Sequence, residues 1–237
     1  MEKMRFGLRK MTLLDFPGKI ACTVFLGGCN FRCPFCHNSE LFMGTPEKLM
    51  EDEEFFAFLK TRKGLLDGVC VSGGEPTLYK QLPEFLTKIK EMGFLVKLDT
   101  NGSRPEIVKD LVAKGLVDYI AMDVKNSPAM YGQTVGMETM DLAPIEESLR
   151  FLIGGELPYE LRTTLVSQLH NGASIQDMGV WLAGLVPGKK PGKLFLQSFV
   201  DRDTVLFAGL TPPESDATAE FAKILAPFAE QVTVRNP

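Results

Sequence analysis

The sequence predicts an α/β fold, a single domain built as a partial (β/α)6 TIM-like barrel. Short apolar runs alternate with longer amphipathic stretches along the chain, which is typical of repeated βα units around a parallel sheet. Six such pairs can be counted, too few to close the eight-stranded barrel. The length of 237 residues fits one large domain over residues 1–237, which can bury a core without disulfides or a structural metal.

The strand predictions rest on short β-branched runs that end in turn residues or polar clusters. They fall at residues 20–26, 68–71, 95–98, 119–122, 160–165 and 194–198, and residues 231–235 are a candidate final edge strand. The helix predictions rest on amphipathic stretches, several of which begin after Pro or a capping Ser or Asp. They fall at residues 51–60, 82–92, 106–114, 145–153, 175–183 and 215–228. Functional loops of parallel α/β folds follow the carboxyl ends of the strands, and every unusual motif lies there.

Charge and hydropathy argue against two classes of partner. The 26 Lys and Arg against 30 Asp and Glu give a net charge of −4, which argues against a nucleic-acid-binding surface. No run approaches the roughly 18 apolar residues of a membrane span, so we expect no membrane contact and a cytoplasmic protein.

Five cysteines in a reducing compartment favour metal or redox chemistry for those that cluster. Cys22 and Cys70 lie in predicted strands and are expected in the core.

The cysteine loop, residues 29–36, follows the first predicted strand. Its cysteine spacings of four and three would suit one face of a helix, but Pro34 inside a helix would cost about 3 kcal/mol or more. A loop is therefore predicted, and three metal interpretations stay open. Cys33 to His37 matches the CxxCH of c-type haem attachment, although that would require export and leave Cys29 unused. A zinc site with His37 would lack the usual two separated ligand pairs, and an iron–sulfur cubane would keep one iron without a protein ligand.

The CxxxCxxC loop, with an aromatic residue before its last cysteine and a βα repeat around it, resembles the radical S-adenosylmethionine (SAM) enzymes. The resemblance implies that Cys29, Cys33 and Cys36 ligate a [4Fe–4S] cluster. It also implies that the amino and carboxylate groups of SAM chelate the open iron, and that Phe35 places backbone near the adenine.

Further motifs at the strand ends look like SAM contacts of this family. Residues 72–76, Ser-Gly-Gly-Glu-Pro, resemble the GGE motif, whose backbone receives the methionyl amino group. The DTNG at 99–102 and the DxK at 123–125 resemble patterns of the glycyl-radical activating subgroup, which bind the ribose and carboxylate of SAM and, in some members, a monovalent cation. Arg162 matches a family arginine near the methionyl end. The candidate contacts are Phe35, Ser72, Gly73, Gly74, Glu75, Asp99, Asn101, Asp123, Lys125 and Arg162.

Each of these motifs also has an ordinary structural interpretation. The two glycines can form a simple turn, and Asp99 and Asn101 can bond only their own backbone. Lys125 can be solvated, and Arg162 can belong to a surface ion pair. No catalytic side chain separate from the cluster and SAM is expected.

The branch of the family is narrowed by residues 12–19 and by Cys-His-Asn at 36–38. Phe16-Pro17-Gly18 stands where pyruvate formate-lyase activators have Gly-Pro-Gly, and looks more like the anaerobic ribonucleoside-triphosphate reductase activating proteins. Gln197 occupies the strand on which the formate-lyase activators carry a histidine near the cofactor. The five cysteines leave no room for an inserted ferredoxin-like domain.

The resemblance implies an activase. An electron from a flavodoxin or ferredoxin would pass through the cluster to SAM, and the resulting 5′-deoxyadenosyl radical would install a glycyl radical on a partner enzyme, here an anaerobic ribonucleotide reductase. Two alternatives stay open: a radical SAM enzyme acting on a small molecule or peptide, and a zinc-binding or redox-sensing module with a structural cysteine loop.

Overall fold

The computed structural model describes residues 5–37, 49–205 and 207–235, and strands and helices alternate along them. Asn38 of the Cys-His-Asn sequence lies outside the described residues. The strands are β1 (Arg5–Thr12), β2 (Ala21–Leu26), β3 (Met50–Glu51), β4 (Gly68–Gly73), β5 (Leu95–Thr100), β6 (Tyr119–Asp123), β7 (Tyr159–Leu165), β8 (Lys193–Ser198) and β9 (Gln231–Arg235). The α-helices are α1 (Asp52–Lys60), α2 (Leu82–Glu91), α3 (Pro105–Ala113), α4 (Pro128–Thr134), α5 (Ala143–Gly154), α6 (Gly172–Gly184) and α7 (Ser215–Leu225).

Every predicted helix and strand has a counterpart in the structure, and the predicted α/β class is confirmed. The chain divides into two compact units. That residues 1–237 form one domain stays a prediction.

The first unit comprises Met1–Asn30, Asn38–Thr100 and Glu106–Ile120. Its strands follow the order β3-β1-β2-β4-β5, in which β2, β4 and β5 are parallel and β1 is antiparallel to both of its neighbours. Phe6 of β1 packs edge-on against Phe55 of α1 and Phe85 of α2, at ring-centroid distances of 5.3 and 5.5 Å. The helices thus cover the apolar face of the sheet, and the carboxyl ends of the parallel strands share one edge.

The second unit comprises Phe31–His37, Asn101–Pro105 and Ala121–Pro237. Its strands follow the order β6-β7-β8-β9, where β6 belongs to this unit from Ala121 onward, and β7, β8 and β9 pair in parallel. The buried Glu160 carboxylate of β7 accepts two hydrogen bonds from the guanidinium of Arg235 of β9, at 2.9 and 3.2 Å. A buried carboxylate needs such a partner, so this pair ties β9 across β8 to β7.

The helix boundaries differ from the predictions by at most three residues at either end. Helix α6 begins three residues before the predicted 175 because Asn171 and Ser174 form a capping box. Helix α4 was not predicted, since it has only seven residues. Among the helices that the structure describes, none is both long enough and apolar enough to cross a bilayer.

Candidate functional site

The cysteine loop follows β2 and closes in a tight turn. The N–H of Cys36 donates to the carbonyl of Cys33 at 3.1 Å, with Pro34 in the second position of the turn. Proline suits that position because its ring fixes φ near −65°. The segment is therefore a loop, as Pro34 predicts, and the turn holds the two Cα atoms within about 7 Å of each other. Cys33 is buried, whereas Cys29 and Cys36 are half-buried.

Backbone contacts fix the course of the loop within the second unit. The N–H of Arg32 donates to the carbonyl of Val135 at 2.9 Å. Gly136 has a φ of +70°, and a Cβ on it would lie 2.3 Å from the Arg32 carbonyl oxygen. Glycine is therefore required for this close approach. Phe31, the residue before Arg32, is buried.

His37 ties the end of the loop to the segment that follows β8. Its Nε2 donates to the carbonyl of Val200 at 2.6 Å, and its ring stacks on Phe199 at a centroid distance of 5.5 Å. Because a carbonyl oxygen can only accept, Nε2 carries the proton and only Nδ1 remains for a metal. Burial lowers the pKa of His37, although the Val200 bond partly opposes this effect, so the ring is neutral at pH 7.

The two glycines after β4 bring the backbone against the end of β2 and the start of the cysteine loop. The N–H of Gly74 donates to the carbonyl of Leu26, and the N–H of Glu75 donates to that of Gly28, both at 2.8 Å. A Cβ on Gly73 would lie 2.2 Å from the Leu26 oxygen, and one on Gly74 would lie 1.8 Å from the Gly28 oxygen. Only glycine allows this packing, and Gly73 also has a φ of +118°.

Glu75 is completely buried, and its carboxylate maintains the shape of the loop. Its Oε1 accepts from the N–H of Thr77 at 3.1 Å, from the Thr77 hydroxyl, and from the Thr100 hydroxyl at 2.8 Å. These bonds join the 3-10 turn Pro76–Leu78 to the end of β5. The side chain thus positions the Gly-Gly backbone that precedes it.

Asp99, near the end of β5, is the predicted ligand-binding carboxylate of the first unit. The Ser72 hydroxyl donates to its Oδ2 at 2.9 Å, and the Lys97 ammonium donates to its Oδ1. The Lys97 side chain is 1% exposed and that of Asp99 is 12% exposed. Sequence reasoning missed Lys97, although a lysine two residues before Asp99 lies on the same face of the strand.

Asn101 lies in the second unit, where it shapes a turn. Its Oδ1 accepts from the N–H of Ser103 at 2.9 Å, which is the ordinary Asx turn anticipated as the alternative. Gly102 follows with a φ of +75°, and its carbonyl accepts from the Ser148 hydroxyl at 2.7 Å. The buried Asn101 side chain therefore has a structural task at this position.

Asp123, Lys125 and Arg162 form what we term the cationic cluster. Arg162 Nε donates to Asp123 Oδ1 at 3.0 Å, and Lys125 Nζ donates to Oδ2 at 2.9 Å. Two positive charges share one carboxylate, so the cluster suits an anionic ligand. Burial lowers the pKa of Lys125, but the charges of Asp123 and Cys33 raise it by more than burial lowers it. The pKa therefore lies above its ordinary value, and Lys125 stays charged.

His170 holds the backbone of Lys125. Its Nε2 donates to the Lys125 carbonyl at 2.9 Å, and its Nδ1 accepts from the N–H of Val166 at 3.1 Å. Burial lowers the pKa of His170, so the ring is neutral. Sequence reasoning missed this residue because no local pattern indicates that the turn after β7 contacts Lys125.

Cys22 and Cys70 are completely buried, in agreement with the expected core position. Burial raises the pKa of Cys22 to about 12, so its thiol stays protonated. The Sγ atom of Cys70 lies 3.7 Å from Asp99 Oδ1 and 3.9 Å from Lys97 Nζ.

The structure separates the predicted site residues into two groups, one in each compact unit. Across the described residues, no three side chains of His, Cys, Asp or Glu form a group that could hold a metal ion, so the case for the cysteines as ligands rests on their spacing and loop. The first group is Cys29, Ser72, Gly73, Gly74, Glu75 and Asp99, and the second is Cys33, Phe35, Cys36, Asn101, Asp123, Lys125 and Arg162.

Comparison with known proteins gives matches to one superfamily and to activating enzymes. The sequence profile of the Radical SAM superfamily matches residues 23–152. A candidate glycyl-radical enzyme activating enzyme of Methanocaldococcus jannaschii is 31% identical over 243 residues, covering 100% of this chain and 97% of that protein. A pyruvate formate-lyase-activating enzyme of Listeria monocytogenes is 32% identical over 167 residues, which is 66% of each protein.

One solved structure supports the fold class. The crystal structure of a domain of pyruvate-formate lyase-activating enzyme from Bacteroides vulgatus matches with a TM-score of 0.57, covering 71% of this chain and 98% of that domain. The two sequences are 19% identical, so this likeness concerns the fold alone.

Proposed function

The chain belongs to the radical SAM superfamily, and with this as the premise we propose that it is an activase that installs a glycyl radical on a partner enzyme. The predicted superfamily and enzyme class are confirmed by the same matches. One observation carries the proposal: the similarity to a glycyl-radical activating enzyme extends over 100% of this chain. The partner we propose is an anaerobic ribonucleoside-triphosphate reductase, because Phe16-Pro17-Gly18 resembles the activators of that enzyme.

We propose that Cys29, Cys33 and Cys36 ligate a [4Fe–4S] cluster. The donor set fits, since thiolates hold such clusters and three thiols follow one another along a single loop. The start of that loop is fixed by Gly74, whose missing Cβ leaves space for the Gly28 carbonyl. Three ligands on a four-iron cubane leave one iron open, and an open metal position is where a substrate binds.

The two groups of residues suit different parts of SAM. The cationic cluster has the charge to bind the methionyl carboxylate. Asp99 offers only acceptors, which suits the two ribose hydroxyls. The Gly73–Gly74 backbone would receive the methionyl amino group, and a monovalent cation could join at Asp123. The remaining proposed contacts are Phe35, near the adenine, and Ser72, Glu75 and Asn101, which shape the loops.

The chemistry divides between the cofactors and the chain. When bound, the reduced cluster supplies one electron to the sulfonium of SAM, which yields methionine and a 5′-deoxyadenosyl radical that can take a hydrogen atom from a glycine. The residues of this chain orient SAM and exclude water, and no separate acid or base is required. We propose a flavodoxin or ferredoxin as the electron donor and the cytoplasm as the location.

The test is anaerobic reconstitution followed by assay with the reductase. We expect about four iron and four sulfide per chain, reductive cleavage of SAM to 5′-deoxyadenosine, and a glycyl doublet in the EPR spectrum of the partner. One equivalent of zinc with no SAM cleavage would contradict the radical assignment. Cleavage without a doublet, in the presence of the anaerobic ribonucleotide reductase, would favour the small-molecule alternative.

Two cysteine variants provide a matched control for the ligand assignment. Cys33→Ala is expected to lose both the cluster absorbance and SAM cleavage. Cys22→Ala removes a thiol that burial keeps protonated, and it should retain both. If Cys33→Ala still cleaved SAM, the assignment of that ligand would be wrong.

A further inference from the structure

We propose that Lys97 is a positioning residue that holds the Asp99 carboxylate in place for the ribose of SAM. The inference rests on the proposed function and deepens it. Lys97 is among the largest fully buried side chains of the described residues. Lysine is almost never fully buried unless it is paired, so its position on β5 requires an explanation.

Lys97 contacts Asp99 on its own strand and the Cys70 thiol on the neighbouring strand. Its ammonium donates to Asp99 Oδ1. The Sγ atom of Cys70, on the neighbouring strand, lies 3.9 Å from the Lys97 ammonium and 3.7 Å from the same Asp99 Oδ1. The Ser72 hydroxyl donates to the other oxygen, Oδ2, at 2.9 Å. Both oxygens thus accept from neighbouring side chains, which holds the carboxylate against rotation.

This arrangement also fixes the chemistry that Asp99 can offer. An ammonium in contact with a carboxylate favours its ionised form, which has acceptors only. The hydroxyls of a ribose can donate, and an ionised carboxylate accepts such bonds. Because Lys97 keeps Asp99 ionised and in place, we assign to Lys97 the preference for a ribose that carries both hydroxyls.

A second Lys–Asp pair in the same unit provides the control. Lys90 Nζ lies 2.7 Å from both carboxylate oxygens of Asp118, and Asp118 accepts the N–H of Val96 at 2.7 Å. The two side chains are 26% and 29% exposed, so the pair is less buried than that of Lys97. It lies near the amino end of β5 and belongs to no predicted SAM motif.

The experiment measures the dissociation constants of SAM and of its 2′-deoxy analogue on the reconstituted enzyme by equilibrium dialysis. The wild type is expected to prefer SAM. In Lys97→Met, SAM binding should weaken about tenfold while analogue binding changes less, so the preference shrinks. Lys90→Met should leave the preference at the wild-type value. If Lys97 had a purely structural role, Lys97→Met would weaken the binding of SAM and of the analogue equally. That result would overturn the proposal.

A double variant keeps the proposal falsifiable if Lys97→Met does not fold. Lys97→Met combined with Asp99→Asn leaves no unpaired buried charge. Its SAM affinity should equal that of Asp99→Asn alone, because Lys97 acts through Asp99. A further loss in the double variant would overturn the inference. Failure of the proposed function is seen separately, as a wild type that binds no SAM or gives no glycyl doublet.

Discussion

The two groups of site residues are constructed by different means. In the first unit the shape comes from backbone packing, since a Cβ on Gly73 or Gly74 would lie 2.2 or 1.8 Å from a carbonyl oxygen. In the second unit it comes from the charged side chains of Asp123, Lys125 and Arg162, which are 29%, 14% and 16% exposed. Close backbone packing contributes directly to the stability of the fold, whereas partly exposed charged side chains contribute little to it. Substitutions at Gly73 and Gly74 should therefore act mainly on stability, and those in the cationic cluster mainly on affinity.

Gly74→Ala is the strongest test of this difference. The added Cβ would meet a backbone oxygen, which cannot move aside as a flexible side chain can. We expect a loss of about 3 kcal/mol in the free energy of unfolding, measured by urea denaturation. Gly184→Ala is the control, because no atom lies within 4 Å of its added Cβ and the change should stay within about 1 kcal/mol. Equal stability of the two variants would remove the basis of the comparison.

Lys125→Met tests the second group. A charge-assisted bond is worth about 1.5–3 kcal/mol, so SAM affinity should fall roughly 10- to 100-fold in equilibrium dialysis. The preference for SAM over its 2′-deoxy analogue should persist, in contrast to Lys97→Met. The control is Lys114→Met, which breaks an exposed pair with Asp110 and should leave affinity unchanged. A loss of stability without a loss of affinity would contradict the assigned role.

The sequence predicted most of the framework and only part of the site. The βα rhythm located β2, β4 to β8 and their helices, and Pro34 indicated a loop, because these signals are local. Strands β1 and β3 lie outside that rhythm and were missed. Lys97 could have been predicted, because residues two apart in a strand lie on the same face and Lys97 is two residues from Asp99. The contact of His170 with Lys125 could not, because it depends on how a distant turn packs. Residues that act through another residue leave no motif, so their roles appear only in the folded chain.

Ser72→Ala should have a smaller effect than either change above. It removes the Ser72 hydroxyl bond to the Asp99 carboxylate and leaves Lys97 in contact with that carboxylate. Ser72 acts on SAM only through the orientation of Asp99, so SAM affinity should fall less than in Lys97→Met, roughly 2- to 10-fold. Ser167→Ala, which removes a hydroxyl bonded to the Pro212 carbonyl, is the matched control. A loss larger than that of Lys97→Met would mean that Ser72, not Lys97, fixes Asp99.

The smallest expected effect concerns the pH dependence of stability. Burial lowers the pKa of His170 below its ordinary value of 6.5, so below that pH the unfolded chain takes up a proton that the native protein does not. Stability should therefore fall as the pH is lowered through about 6.5, and His170→Gln should make the curve flatter. The pKa of His37 is also lowered. Because His37 is present in the wild type and in His170→Gln, its contribution cancels when the two stability curves are subtracted. Parallel curves of unfolding free energy between pH 8 and 5 would refute this.

The Cys33–Cys36 turn also determines which thiols of the protein oxygen would oxidise first. A thiolate is the reactive form of cysteine, and Cys22, with a pKa of about 12, supplies almost none. The turn keeps the Cα atoms of Cys33 and Cys36 within about 7 Å, a separation that a disulfide can bridge. Without the cluster, oxidation should therefore begin in this loop and give a bond that a reductant reopens. In the cluster-free protein, oxidative damage would then be a repairable lesion of one turn, with the Cys22 thiol left intact.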